Sequence, residues 1–155
     1  MTLFNKWFGN NTPKIKCPRC LGKGHVSMHD IKRLKRELWW SPGSCAYCSG
    51  TGKVKQSVME NLPVDTSYLT TDITAREVLK LRKGDKEAMD RARKWDSEVA
   101  QMIRQIQHLY ADRKMDADQI AGYFFDTYPN VYTKKNYKKE LIDYIHKVIS
   151  YSKRD

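Results

Sequence analysis

Nowhere in this chain do the roughly 18 to 20 consecutive apolar residues needed to cross a bilayer occur, so a membrane-spanning helix is excluded. An unbroken apolar stretch of secretory type is missing as well, because Leu3, Phe4, Trp7 and Phe8 are interrupted by Asn5, Lys6 and Gly9. A cytoplasmic protein is therefore expected, with the apolar segment 1–13 docked on the protein's own surface. Also missing are a Gly-rich phosphate loop, a nucleophile set beside a base and a recognisable carboxylate pair, so an enzyme is not expected. Acidic residues are scarce in one region. Residues 1–63 hold 3 Asp or Glu against 11 Lys or Arg, whereas residues 64–155 hold 15 against 18. Most of the net charge of +11 thus gathers in the first part of the chain. Such a field favours polyanions and acidic proteins without choosing between them.

What is present is enough to fold. With 40% hydrophobic, 11% aromatic and 30% charged residues, the 155-residue chain does not have the profile of a disordered protein. Its length suits one ordinary domain, or a small metal-stapled module beside a helical one; two compact units are expected.

Cysteine is rare, but its four copies are not scattered. They fall in two copies of one pattern, Cys17-Pro-Arg-Cys20-Leu-Gly22-Lys-Gly24 and Cys45-Ala-Tyr-Cys48-Ser-Gly50-Thr-Gly52. Two residues between cysteines let a tight turn aim both sulfurs at one point, and two such turns supply the four thiolates of a tetrahedral zinc site. Gly22, Gly24, Gly50 and Gly52 permit positive φ, so that backbone amides can fold around the sulfurs. A redox dithiol would need only one Cys-x-x-Cys, and two disulfides would suit a secreted chain. One Zn²⁺ held by Cys17, Cys20, Cys45 and Cys48 is expected, in a closed structural site with His25 and His29 left at the surface.

The pattern Cys-x-x-Cys-x-Gly-x-Gly resembles the cysteine-rich domain of DnaJ chaperones over about Ile15 to Val54. The resemblance implies that the four cysteines are the ligands and that Lys14 to Lys16, Lys23 to Val26 and Lys53 to Lys55 are short strands. It covers half of that domain, because two motifs stand where the family has four. His29-Asp30 lacks the proline of a His-Pro-Asp tripeptide, so no J domain is implied. The same spacing, with Glu37-Leu38-Trp39 in the insert, is also similar to the zinc region of phage antiterminator Q proteins.

Between the motifs, Ser27 and Asp30 form a helix start signal and Ser41-Pro42-Gly43 a stop, predicting a helix over 28–40. At about 100° per residue, Ile31, Leu34 and Leu38 share one side, and Lys32, Arg33, Arg36 and Trp40 the other, a candidate partner-binding face. Residues 56–73, with Pro63 and clustered Ser, Thr and Asp, read as a connector. Beyond it a helical domain is expected over 74–155. Thr74 and Glu77 open a helix to about Lys83, and residues 85–113 form a long helix with a seam of Ala92, Trp95, Val99, Met102, Ile106 and Leu109. That seam is also a candidate for self-association. Asp116 and Gln119 start a helix ended by Pro129. A last helix, 134–152, turns Tyr137, Leu141, Tyr144, Ile145 and Val148 inward and opens on Lys134, Lys135, Lys138 and Lys139. Four lysines there oppose the helix dipole, which marks them as candidate contacts.

The sequence thus predicts an α+β protein: a zinc-stabilised β-hairpin module over 14–55 with a helical insert, then an all-α domain. The expected role is that of a co-chaperone-like adaptor binding another polypeptide or an unfolded chain. Nucleic acid is the alternative partner, met by the basic zinc module and the lysine-rich last helix.

Overall fold

The computed structural model describes residues 13–70, 73–131 and 137–154; the apolar positions Leu3, Phe4, Trp7 and Phe8, and Lys134 and Lys135, lie outside them. The class is α+β, with short two-stranded ribbons around the cysteines and helices after them. The chain divides into two compact units, Met1–Asp96 and Ser97–Asp155.

In the first unit, β1 (Lys14–Lys16) pairs antiparallel with β4 (Lys53–Lys55), and β2 (His25–Val26) with β3 (Gly43–Ser44). Each strand entering one cysteine motif therefore pairs with the strand leaving the other. Alternation sends Ile15 and Val54 to one face of the β1–β4 ribbon, where Val54 is buried, and lysines to the other.

The insert helix α1 spans Met28–Arg33, held at its start by the Ser27–Asp30 capping box, and is shorter than the 28–40 expected. Lys35 takes a positive φ of 55° and the chain leaves the helical path. The physical reason is burial. A helix continued to 40 would turn Trp40 away from Ile31, whereas the break lets both enter the core, 5% and 0% exposed.

The segment read as a connector is part of the same core. It forms α2 (Gln56–Asn61), and Val58, Leu62 and Leu69 are buried with Val78 and Leu81 of α3 (Ala75–Arg82) against the cysteines. Thr74 caps α3, accepting a hydrogen bond from the Glu77 amide. A helical domain beginning at 74 is thus not how the chain divides: α3 and the start of α4 (Lys86–Ala111), with Ala88 and Ala92, pack in the first unit. Short range explains the difference, since a cysteine-centred core of this size needs apolar cover that its own strands cannot supply.

The second unit holds the end of α4, then α5 (Ala117–Thr127) and α6 (Tyr137–Ser152). Asp116 and Gln119 cap α5 reciprocally, side chain to backbone in both directions. Ile103, Ile106 and Leu109 of α4, Ile120 and Phe124 of α5, and Leu141, Ile145 and Val148 of α6 are buried. The expected α4 seam is interrupted: none of residues 93–102 is buried and Trp95 is half exposed, its ring meeting Tyr68 edge-on. Tyr137, expected to face inward, is exposed.

Candidate metal centre

The two cysteine motifs form knuckles of matching backbone shape. In each, the residue after the second cysteine has positive φ, 54° at Leu21 and 55° at Ser49, and so have Gly22, Gly24, Gly50 and Gly52. The left-handed turn brings the second glycine amide onto the preceding sulfur: Gly24 donates to Cys20 Sγ (3.3 Å) and Gly52 to Cys48 Sγ (3.2 Å). The knuckles then lock together. The Cys17 amide donates to the Gly52 carbonyl (2.8 Å), and the Cys45 amide to that of Gly24 (3.0 Å). A Cβ on Gly24 would stand 2.5 Å from the Gly50 carbonyl oxygen, and one on Gly52 would press on that of Gly22. These two glycines are required by close approach as well as by φ.

The crossing places all four sulfurs together. Cys17 Sγ lies 3.8 Å from Cys45 Sγ, Cys20 Sγ lies 3.8 Å from Cys48 Sγ, and all four sit within 4.8 Å of one another, with each residue buried. The cysteines are free thiols, and their spacing is far from the ~2.05 Å of a disulfide bond. Their contact holds the Cys17 thiol down at about 5 and pushes Cys45 far up; burial raises Cys20. Four groups so close cannot all ionise unless a cation lies among them. The donor set fits one metal ion. His25 and His29 are exposed and take no part in the cluster.

Around the sulfurs stand cations that sequence reasoning missed. Arg19, between the first two cysteines, is 2% exposed. Its guanidinium donates to the carbonyls of Val64 (2.8 Å), Thr66 (2.9 Å) and Leu69 (2.6 Å) and lies over the Trp40 ring at 4.2 Å. Burial lowers its pKa to about 10, while Cys45 and Cys17 favour its charged form. Tyr47, at the corresponding place in the second knuckle, donates its hydroxyl to the Leu62 carbonyl (2.8 Å), and burial raises that hydroxyl to about 12. The backbone carbonyls of this position are clamped in both knuckles. Arg33 donates to that of Arg19 (2.7 Å), and Arg82 to that of Tyr47 (2.7 Å and 3.0 Å). Four thiolates around a divalent ion would leave an excess of negative charge, which these arginines are placed to offset. No local pattern marks Arg19: its partners are 45 to 50 residues away.

Asp30 is a buried counterpart, wholly inaccessible and capping α1. Burial alone would raise its carboxyl, but hydrogen bonds from Lys23 and from the amide and hydroxyl of Ser27 hold it well below the carboxylate range.

The candidate contact residues divide. Lys32 is exposed, as are Lys138 and Lys139 on the first turn of α6. Arg33 is engaged with knuckle carbonyls, Arg36 is paired with Asp65 at 2.7 Å, and Trp40 is in the core. The basic face expected around Trp40 is therefore not assembled. A different one is. Lys14 stands opposite Lys55 and Lys16 opposite Lys53, so the outer face of the β1–β4 ribbon carries four exposed lysines, and among the described residues none has an acidic partner. Beside the ribbon lies a cleft of about 480 Å³ with no acidic residue in its lining.

Compared with protein-family models, with curated proteins and with solved structures, the chain matches none.

Proposed function

We propose that Cys17, Cys20, Cys45 and Cys48 hold one structural zinc ion, and that the module so organised is a non-enzymatic nucleic-acid binder acting through the lysine ribbon. A zinc–sulfur distance of ~2.3 Å implies a tetrahedron edge of ~3.8 Å, matching the two 3.8 Å sulfur pairs. Four buried thiolates fill the coordination sphere and leave no position for a reacting water, which supports a structural role. The resemblance to the DnaJ cysteine-rich domain agrees with zinc, and the similarity to antiterminator Q proteins agrees with work on nucleic acid.

The observation that carries the choice of ligand is the register Lys14↔Lys55 and Lys16↔Lys53. Like charges directly opposite each other destabilise a ribbon, and among the described residues no acidic side chain pairs with these four. A polyanion would: phosphates laid along the ribbon neutralise both pairs and release counterions. A polypeptide partner is the second reading, favoured by the exposed apolar Leu21 and Met28 that flank the first knuckle.

Titrating labelled DNA, RNA and an unfolded polypeptide at two salt concentrations separates the readings. Affinity for nucleic acid that falls steeply with the logarithm of salt is the expected result. Binding of the polypeptide alone, persisting or strengthening in salt, would transfer the function to the second reading.

A further inference from the structure

The cleft beside the ribbon differs from it in kind. Its lining combines Lys14, Lys53, Lys55 and Lys83 with Val54, Val58 and Leu79, of which Val54 and Val58 are buried and Leu79 is open to the cleft. Leu79 is 53% exposed, a large apolar side chain left in water on α3 among cations. Arg82, also in the lining, is occupied with the Tyr47 carbonyl. Lysines alone would serve any phosphate backbone. An apolar side chain finds little to contact along a duplex's sugar–phosphate surface, whereas an unpaired base offers it a whole ring face.

Resting on the nucleic-acid reading above, we propose that this cleft takes a base of an unpaired strand, so that the preferred ligand is single-stranded nucleic acid. The base would lie against the exposed Leu79 side chain, with the phosphates on either side reaching Lys14, Lys55 and Lys83. An aliphatic wall contacts any base face and offers no directed hydrogen bond, so the preference is for single-strandedness and not for sequence. About 480 Å³ lies within the range of small-ligand pockets, too small to receive a duplex.

The experiment is fluorescence anisotropy of the metal-loaded full chain with labelled oligo-dT, oligo-U and a mixed-sequence duplex. Wild type, Leu79→Gln and Leu79→Met are compared, each checked for an unchanged unfolding midpoint. Leu79→Gln should weaken both single strands about fivefold, the scale of one lost base contact, and leave the duplex within about twofold. Leu79→Met, which keeps the wall apolar, should bind as wild type does and excludes a folding defect. The oligo-dT and oligo-U arms report whether DNA or RNA is preferred. Equal loss on single strand and duplex, or no loss on either, would overturn the cleft proposal while leaving the ribbon in place. Absence of wild-type binding to all three would overturn the nucleic-acid reading, and this inference with it.

Discussion

Arg19 and Tyr47 occupy the same place in the two knuckles, each just before the second cysteine, and the guanidinium carbon of one lies 5.1 Å from the ring centroid of the other. The backbone symmetry of the metal centre is broken here by side chains. A cation and an aromatic ring meet at the junction, and each reaches outward to a carbonyl of the chain that follows the knuckles. Arg19 thereby fastens residues 64–69 to the metal site. Removing it should strand three carbonyls: Arg19→Met is expected to cost about 3 kcal/mol or more in urea unfolding. Arg19→Lys should recover only part, because an ammonium cannot reproduce the planar fork. Tryptophan emission should shift in both, as Trp40 loses the guanidinium stacked on its ring. Wild-type stability in Arg19→Met would show that the contacts carry no weight.

Metal and core are expected to be lost together. Native material should contain one metal ion per chain by elemental analysis. After chelation, or in Cys45→Ser, amide exchange should rise across residues 14–55 and also in α2 and α3, whose Val58, Leu62, Val78 and Leu81 share the cysteine core. Protection in α5 and α6, with their own buried residues in the second unit, should persist. Unchanged exchange over 14–55 in metal-free protein would contradict this.

The four motif glycines should not be equal. Gly24→Ala and Gly52→Ala push a methyl group onto a backbone carbonyl of the opposite knuckle, whereas Gly22→Ala meets only the flexible Lys16 side chain. All three carry the strain of positive φ, roughly 1 kcal/mol, but only the first two should also weaken metal affinity, measured by competition with a chromophoric chelator.

The ribbon offers a substitution in which stability and binding part company. Lys16→Glu sets opposite charges across the Lys16↔Lys53 pair. The unfolding temperature should not fall below that of wild type, while affinity for nucleic acid and its dependence on salt both decrease. Unchanged binding in low salt would remove the ribbon from the interface.

Asp30 sets part of the acid limb of stability. Its folded pKa is depressed below the ordinary value of 3.8, so its contribution is fully present above about pH 5 and is lost as pH falls through 3.8 toward the folded value. Asp30→Asn should cost roughly 2 kcal/mol at neutral pH, and the difference from wild type should narrow as pH falls toward 3. Urea midpoints at matched metal content across pH 3 to 7 test it; a constant difference would show that the carboxylate charge is not what Asp30 contributes.

Local grammar made much of the protein legible. The repeated Cys-x-x-Cys-x-Gly-x-Gly named the four sulfurs that the fold assembles, and Ser27, Thr74 and Asp116 announced helix starts within a residue of where they occur. What misled was range. A helical wheel put Trp40 on a basic face because it could not see Arg19 waiting in the core. Composition made 56–73 a connector because the worth of Val58, Leu62 and Leu69 depends on cysteines up to about 50 residues away.

The amino-acid sequence by itself determined the four clustered cysteines, the left-handed turns around them and the starts of α1, α3 and α5, because each depends on residues a few positions apart. Only the tertiary structure decided which strand pairs with which, and hence that four lysines line one face of a ribbon. It also turned Arg19, Arg33 and Arg82 from surface charge into clamps on the knuckles. Burial and pairing are properties of what comes to lie alongside a residue, and the chain must close on itself before those neighbours exist.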